Sequence, residues 1–169
     1  MSKWLMMCGL AVWAFVSPAF ARDQPRTYVA ASGVTTVEAT VGGAHVVVRI
    51  TAHALDGPGA ARLAQMPARA CTGSRAPCSL VDDIDIRVQG ERIWVPKGAY
   101  LGLADVTSAT VSGAGATSSL TLNGGDASEA YIATLDFDRA RVTGRSIAPA
   151  TEPGKPLEKT TYRVVTTGD

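Results

Sequence analysis

DIDIRVQGERIWV, Asp83 to Val95, decides the fold. Apolar and polar residues alternate on both sides of Gln89-Gly90. A period of two belongs to a half-buried strand, not to a helix. Gln89-Gly90 is a two-residue hairpin turn. Register about it sets Val88 against Glu91, Ile86 against Ile93 and Ile84 against Val95. The apolar set then shares one face, and Asp85, Arg87, Arg92 and Trp94 share the other. Arg87 faces Arg92, and like charges directly opposite repel. Water, Asp85, Glu91, stacking on Trp94 or a partner must offset that. Pro96 ends the strand because it has no ladder donor.

The same pattern runs through the chain on both sides. Val34 to Thr51 reads as a hairpin about Gly42-Gly43, with Val37 opposite Val48 and Ala39 opposite Val46. Lys97 to Val106 suits one or two helical turns with Tyr100, Leu103 and Ala104 inward. Ala109 to Ser112 and Thr117 to Leu122 follow as strands, the second with Leu120 and Leu122 inward. Asn123-Gly124-Gly125-Asp126 marks a turn, which Asp126 can cap through its own side chain. Ser128 to Phe137 places Tyr131, Ala133, Leu135 and Phe137 on one face. Asp138-Arg139 turns the chain into Arg141 to Ile147. Ala148 to Pro156 is a connection, and Leu157 to Thr166 is the last strand, with Tyr162 and Val164 together. About eight to nine strands with short turns imply a mainly β fold, an antiparallel sandwich or a small barrel, with one or two short helices.

Asp56 to Leu80 interrupts the alternation. Asp56-Gly57-Pro58 can start a short helix that Pro67 ends, with Leu63 and Met66 directed at the core. The loop CTGSRAPC, Cys71 to Cys78, follows.

The beginning of the chain reads as a secretory leader. Lys3 precedes an uncharged apolar run from Trp4 to Val16, then Ser17-Pro18 and Ala19-Phe20-Ala21. The run is shorter than the roughly 20 apolar residues of a membrane span. Small residues at 19 and 21 predict cleavage after Ala21. Residues 1–21 are thus a signal peptide, and 22–169 form a single β-rich domain that is exported, periplasmic or extracellular, and holds no stable membrane insertion. Cys8 lies inside the apolar run, away from the position a lipoprotein needs. Removal of the leader leaves Cys71 and Cys78, an even pair that in an oxidising compartment reads as one disulfide. So small a ring contributes about 2 kcal/mol. Its main effect is local.

Size and charge exclude several functions. A domain of this length buries about 68% of its unfolded surface. The chain carries 16 basic and 15 acidic residues, and Lys3 leaves with the leader. The neutral balance excludes a nucleic-acid binder, which needs a basic footprint, and simple adhesion to anionic lipid. Abundant alanine, glycine, threonine, valine and arginine suit an exported bacterial protein.

Chemical motifs are sparse. His45 and His53 stand about 26 Å apart along one extended strand at about 3.3 Å per residue, too far for one metal or one catalytic pair. Two polar residues on a sheet surface are the plainer reading. Asp82, Asp83 and Asp85 enter a strand, where neighbours point to opposite faces, so they make a solubilising entrance and not a calcium loop. No serine has a local elbow motif, and a triad could assemble only in space. No catalytic residue, cofactor or metal ligand is therefore assigned.

CTGSRAPC resembles, in its Cys-Thr opening, the reactive loop of the Bowman-Birk protease inhibitors. That family has a longer ring and a basic or apolar residue next, where this chain has Gly73, with Arg75 two places on. The resemblance implies an inhibitory loop. A disulfide-clamped loop is otherwise a structural clasp, or a preordered surface that presents Arg75 to a protein partner. Arg87, Arg92 and Trp94 form a second candidate partner-binding patch, since arginine and tryptophan concentrate in protein hot spots. Against that, a lone tryptophan in a small domain is usually well buried, which places Trp94 in the core. The expected function is non-catalytic binding of another macromolecule, of inhibitor or immunity type. A small-ligand β-barrel carrier is the alternative, and a minor hydrolase the second.

Overall fold

The computed structural model describes residues 25–55, 57–59, 78–114 and 116–165. The leader 1–21, Cys71, Arg75, Leu63 and Met66 lie outside the described residues.

Both two-residue turns form as read. Gly42 and Gly43 have φ of 57° and 80°, and Gln89 and Gly90 have φ of 54° and 86°. Positive φ at both central positions is the turn geometry that follows the right-handed twist of the flanking strands. The first turn joins β2 (Gly33–Val41) to β3 (Ala44–Leu55), with Val37 opposite Val48 and Ala39 opposite Val46. The second joins β4 (Cys78–Val88) to β5 (Glu91–Arg92), with Val88 opposite Glu91 and Arg87 opposite Arg92. β3 and β4 pair antiparallel, giving a four-stranded sheet in the order β2-β3-β4-β5.

The remaining strands form a second antiparallel sheet. They are β1 (Thr27–Tyr28), β6 (Val106–Ala114), β7 (Thr117–Gly124), β8 (Tyr131–Phe137), β9 (Val142–Pro149) and β10 (Glu158–Thr161), side by side in that order. The fold is mainly β, two open sheets consistent with a sandwich and not a closed barrel. The ten strands among the described residues exceed the expected eight to nine through β1, two residues that pair with β6. The described residues also include 3-10 turns at Lys97–Ala99 and Ala127–Glu129. Asp126 accepts from the Ala127 amide at 2.9 Å and caps the second turn. Residues 57–59 are helical, within the expected helix.

One core lies between the sheets. Val46, Val48, Ile50, Ile84 and Ile86 from the smaller sheet join Leu120, Leu122, Leu135, Phe137 and Ile147 from the larger in a single cluster. None of these is more than 1% exposed. Tyr131, Ala133, Leu135 and Phe137 are all buried, as the alternation of β8 requires. Tyr100, Leu103 and Ala104 are buried too. Each large aliphatic side chain so buried contributes about 1.5–3 kcal/mol.

Alternation breaks once in the smaller sheet. Thr51 pairs with Asp83 but Ala52 pairs with Val81, so Asp82 is an extra residue on β4. Strict alternation back from Ile84 would turn Asp82 into the core. The bulge keeps Asp82 exposed and Val81 buried.

Three expectations fail, for physical reasons. Val95 does not pair with Ile84. The Trp94 amide donates to the Ala140 carbonyl at 2.9 Å, and the Trp94 carbonyl accepts from the Val142 amide at 2.9 Å. The chain at Trp94 is thereby joined to the start of β9, and its ladder with β4 ends at Ile93. Trp94 itself is not core. Its neighbour Ile93 is 2% exposed and points inward, which leaves the indole outward and 50% exposed. At the chain's far end, Val164 does not share the half-buried setting of Tyr162; β10 stops at Thr161 and Val164 is 55% exposed.

The sheets also differ in width. Arg145 on β9 stands in register with Leu135 and Thr160, on the inner side of the larger sheet. Its guanidinium pairs with Glu158 on β10, and its side chain is only 10% exposed. An ion pair takes the place of aliphatic packing at this position.

Ile86→Ala should lower the unfolding free energy by about 2–5 kcal/mol through the cavity it leaves. Thr134→Ala, on the outer surface of β8, should change it by no more than about 0.5 kcal/mol. Urea titration of both variants checks this; similar losses at the two positions would contradict a two-faced sheet.

Candidate functional site

The hairpin register that buries Ile84, Ile86 and Val88 forces Asp85 and Arg87 onto the outer face of the smaller sheet. Arg49 on β3 stands opposite Asp85, and Arg92 on β5 stands opposite Arg87. Asp85 offsets part of the like-charge repulsion. Its Oδ2 lies 2.5 Å from Arg92 Nε and its Oδ1 lies 3.3 Å from Arg87 Nε. The second contact is an ion pair without hydrogen-bond geometry, because Oδ1 accepts no hydrogen bond. Arg87 Nη1 donates instead to the Gly90 carbonyl at 3.3 Å. The Asp85 side chain is 17% exposed, whereas those of Arg87 and Arg92 are 49% and 63% exposed. The carboxylate is thus the base of a clamp, with the guanidinium groups above it. Trp94 continues the strand beyond Arg92, and its backbone pairing with Ala140 and Val142 anchors it to the second sheet. Of the predicted residues, Arg87 and Arg92 come together on Asp85, and Trp94 stands exposed two residues beyond Arg92; Arg75 lies outside the described residues.

The two histidines stay apart. His45 Nε2 is 3.7 Å from Glu38 across the β2–β3 pair. His53 Nδ1 is 2.7 Å from Asp82 Oδ1, so the bulge that exposes Asp82 also supplies His53 with its carboxylate. Nearly half of each side chain of that second pair is exposed, which leaves the contact in water. Asp83 accepts from the Tyr100 hydroxyl at 3.1 Å. Burial first, and that hydrogen bond second, push the Tyr100 phenol above its usual range. The acidic cluster is therefore divided among three separate partners, His53, Tyr100 and the arginine pair. Among the described residues no three side chains gather as metal ligands. Cys78, fully buried, opens β4 beside Ser79, whose amide donates to Asp105 Oδ1 at 2.9 Å.

A second feature escaped the sequence reading. The outer face of the larger sheet carries hydroxyls in register. One row runs Ser112, Ser119, Asp136, Gly144, Thr161; the next runs Thr110, Thr121, Thr134, Ser146, Lys159. Asp136 Oδ1 accepts from Ser119 Oγ at 2.7 Å. A cavity of about 420 Å³ opens beside it, lined by Asp136, Gly144, Ser146, Pro156, Lys159 and Thr161 among others. The sequence signal was the run of serine and threonine at the polar positions between Thr110 and Thr121.

Asp85→Asn should destabilise the protein by about 1 kcal/mol, no more, because the arginines it serves are half exposed. Arg92→Ser added to that variant should return part of the loss, as a double-mutant cycle in urea will read. Strict additivity of the two changes would contradict the clamp. Compared with known protein families, curated proteins and solved structures, the chain matches none.

Proposed function

We propose that the chain is an exported, non-catalytic binding protein, of inhibitor or immunity type, that engages another macromolecule through Trp94, Arg92 and Arg87. The observation that carries this reading is the 50% exposure of Trp94 two residues beyond Arg92, whose guanidinium Asp85 holds together with that of Arg87. Tryptophan and arginine supply a disproportionate share of binding energy at protein interfaces. Anchoring both backbone groups of Trp94 reduces the ordering entropy lost on docking. In this reading the leader directs the chain out of the cytoplasm and is cut after Ala21. Cys71 and Cys78 then close the ring that presents Arg75. The carrier alternative loses its closed barrel, since the two sheets are open.

Two measurements test the proposal. N-terminal sequencing of the exported protein should begin at Arg22; a chain still carrying Met1 in the membrane fraction would refute the export step. A photo-crosslinking residue placed at Arg92 should capture a macromolecule in living cells, and one placed at Thr134 on the opposite sheet should not. Trp94→Ala should weaken that partner's affinity by about 10- to 100-fold. Its unfolding midpoint should stay close to wild type. Capture from Thr134 alone, or unchanged affinity in the Trp94 variant, would remove this face from consideration.

A further inference from the structure

We infer that the partner seats an acidic protein segment on this face, with its carboxylates meeting Arg49, Arg87 and Arg92 around Trp94. The inference rests on the docking role just proposed and adds the chemistry of what docks.

The charge of the face carries it. The whole chain is almost balanced, with 16 basic and 15 acidic residues, yet the balance fails locally. Register brings Arg49, Asp85, Arg87 and Arg92 together on the outer side of the smaller sheet, three cations about one carboxylate. Asp85 is mostly buried and already serves two guanidinium groups. Of the acids nearby, Glu91 stands opposite the inward Val88, on the other side of the hairpin from Arg92, and the rest are engaged elsewhere. Glu38 faces His45, Asp82 faces His53, and Asp83 accepts from Tyr100. Asp138, on the turn behind Trp94, accepts from the amides of Ala140 and Arg141. Arg141, which bridges Trp94 in parallel, adds a further cation, and its buried Nε makes no hydrogen bond.

A guanidinium offers five N–H donors in a planar fork that matches a carboxylate. Arg92 spends its Nε on Asp85 and keeps 63% of its side chain in water. The excess is compact and sits beside an indole, not in a stripe. A nucleic-acid surface would need basic groups spread along a groove and a strongly basic domain. A short run of aspartate or glutamate with a flanking apolar residue for Trp94 satisfies both halves of the face.

Trp94 is also the probe. Trp4 and Trp13 leave with residues 1–21, so the exported protein reports this face by its only tryptophan. The test titrates exported protein with four probes at low salt. These are a peptide of alternating glutamate and serine, its glutamine counterpart, its lysine counterpart, and inorganic polyphosphate. The glutamate peptide should shift Trp94 emission and saturate at least tenfold lower in concentration than the glutamine peptide. The response should fade toward 1 M salt, where the screening length shrinks to about 3 Å. Arg87→Gln with Arg92→Gln should abolish it; should that pair misfold by circular dichroism, Arg92→Gln alone should still weaken it severalfold. Equal response to glutamate and glutamine, tighter binding of polyphosphate, or no saturation with any probe would overturn the inference. The crosslinker at Arg92 separates the two claims. Capture of a macromolecule without any preference for the glutamate peptide leaves the docking face standing and removes the acidic segment. Loss of both removes both.

Discussion

Side-chain parity across two mirror-image turns governs this protein. Gly42-Gly43 and Gln89-Gly90 each admit positive φ at two successive residues, and each is two residues long. Together they leave no freedom in register. Once Ile86 faces the core, Arg87 must face out, and once the turn closes on two residues, Arg92 must stand opposite it. A slip of one position would put every charged residue of β4 between the sheets. The core and the basic face are therefore one decision made twice, once on each side of the sheet. The bulge at Asp82 shows how strictly parity is enforced. The chain inserts a residue rather than bury a carboxylate among Val48, Ile50 and Ile84.

What was legible in the sequence follows from that locality. The pairing of Val37 with Val48 and of Arg87 with Arg92 depends on residues a few places apart, and it was read correctly. The inward set of β8, from Tyr131 to Phe137, needed only its own alternation. The partnership of Trp94 with Ala140 and Val142 could not be read that way. It joins segments distant in sequence, and nothing in IWVP announces that the strand will leave its neighbour and cross to the other sheet. The same blindness sent Trp94 to the core. Its size argued for burial, while its position after the inward Ile93 argued against, and position prevailed. The choice between sandwich and barrel was equally non-local, resting on which strands end as edges.

Polar chemistry accumulates differently on the two sheets. Among the described residues the larger sheet has six strands and the smaller four, and at β9 and β10 the inner side of the larger sheet carries charge. Arg145 and Glu158 supply it, the arginine covering the seam with its aliphatic stem and directing its charge to the carboxylate at the rim. The outer face of the same sheet takes the opposite course, with neutral hydroxyls in rows and Asp136 held by Ser119. The outer face of the smaller sheet thus gathers arginines about one carboxylate, while that of the larger sheet is mainly hydroxyl with Asp136 and Lys159, which gives any macromolecular contact a side to prefer.

Stability alone does not account for the charged side. An exposed ion pair yields at most about 1 kcal/mol, and two arginines facing each other subtract from it. Threonines or an opposite-charge pair at positions 87 and 92 would serve the hairpin at least as well, because Ile86 and Ile93 already hold its inner face. Asp85 does not remove the conflict. It supports two cations with one carboxylate and leaves a net positive charge directed outward. An arrangement that costs the isolated fold something, beside an indole left half in water, is most economically explained by a free energy recovered elsewhere. Recovery requires an anionic group close enough to be desolvated with the guanidinium forks, because a charge met through bulk water would be screened within about 10 Å at ordinary salt. The physical demand is therefore for intimate contact, made on the face that the core register had already determined.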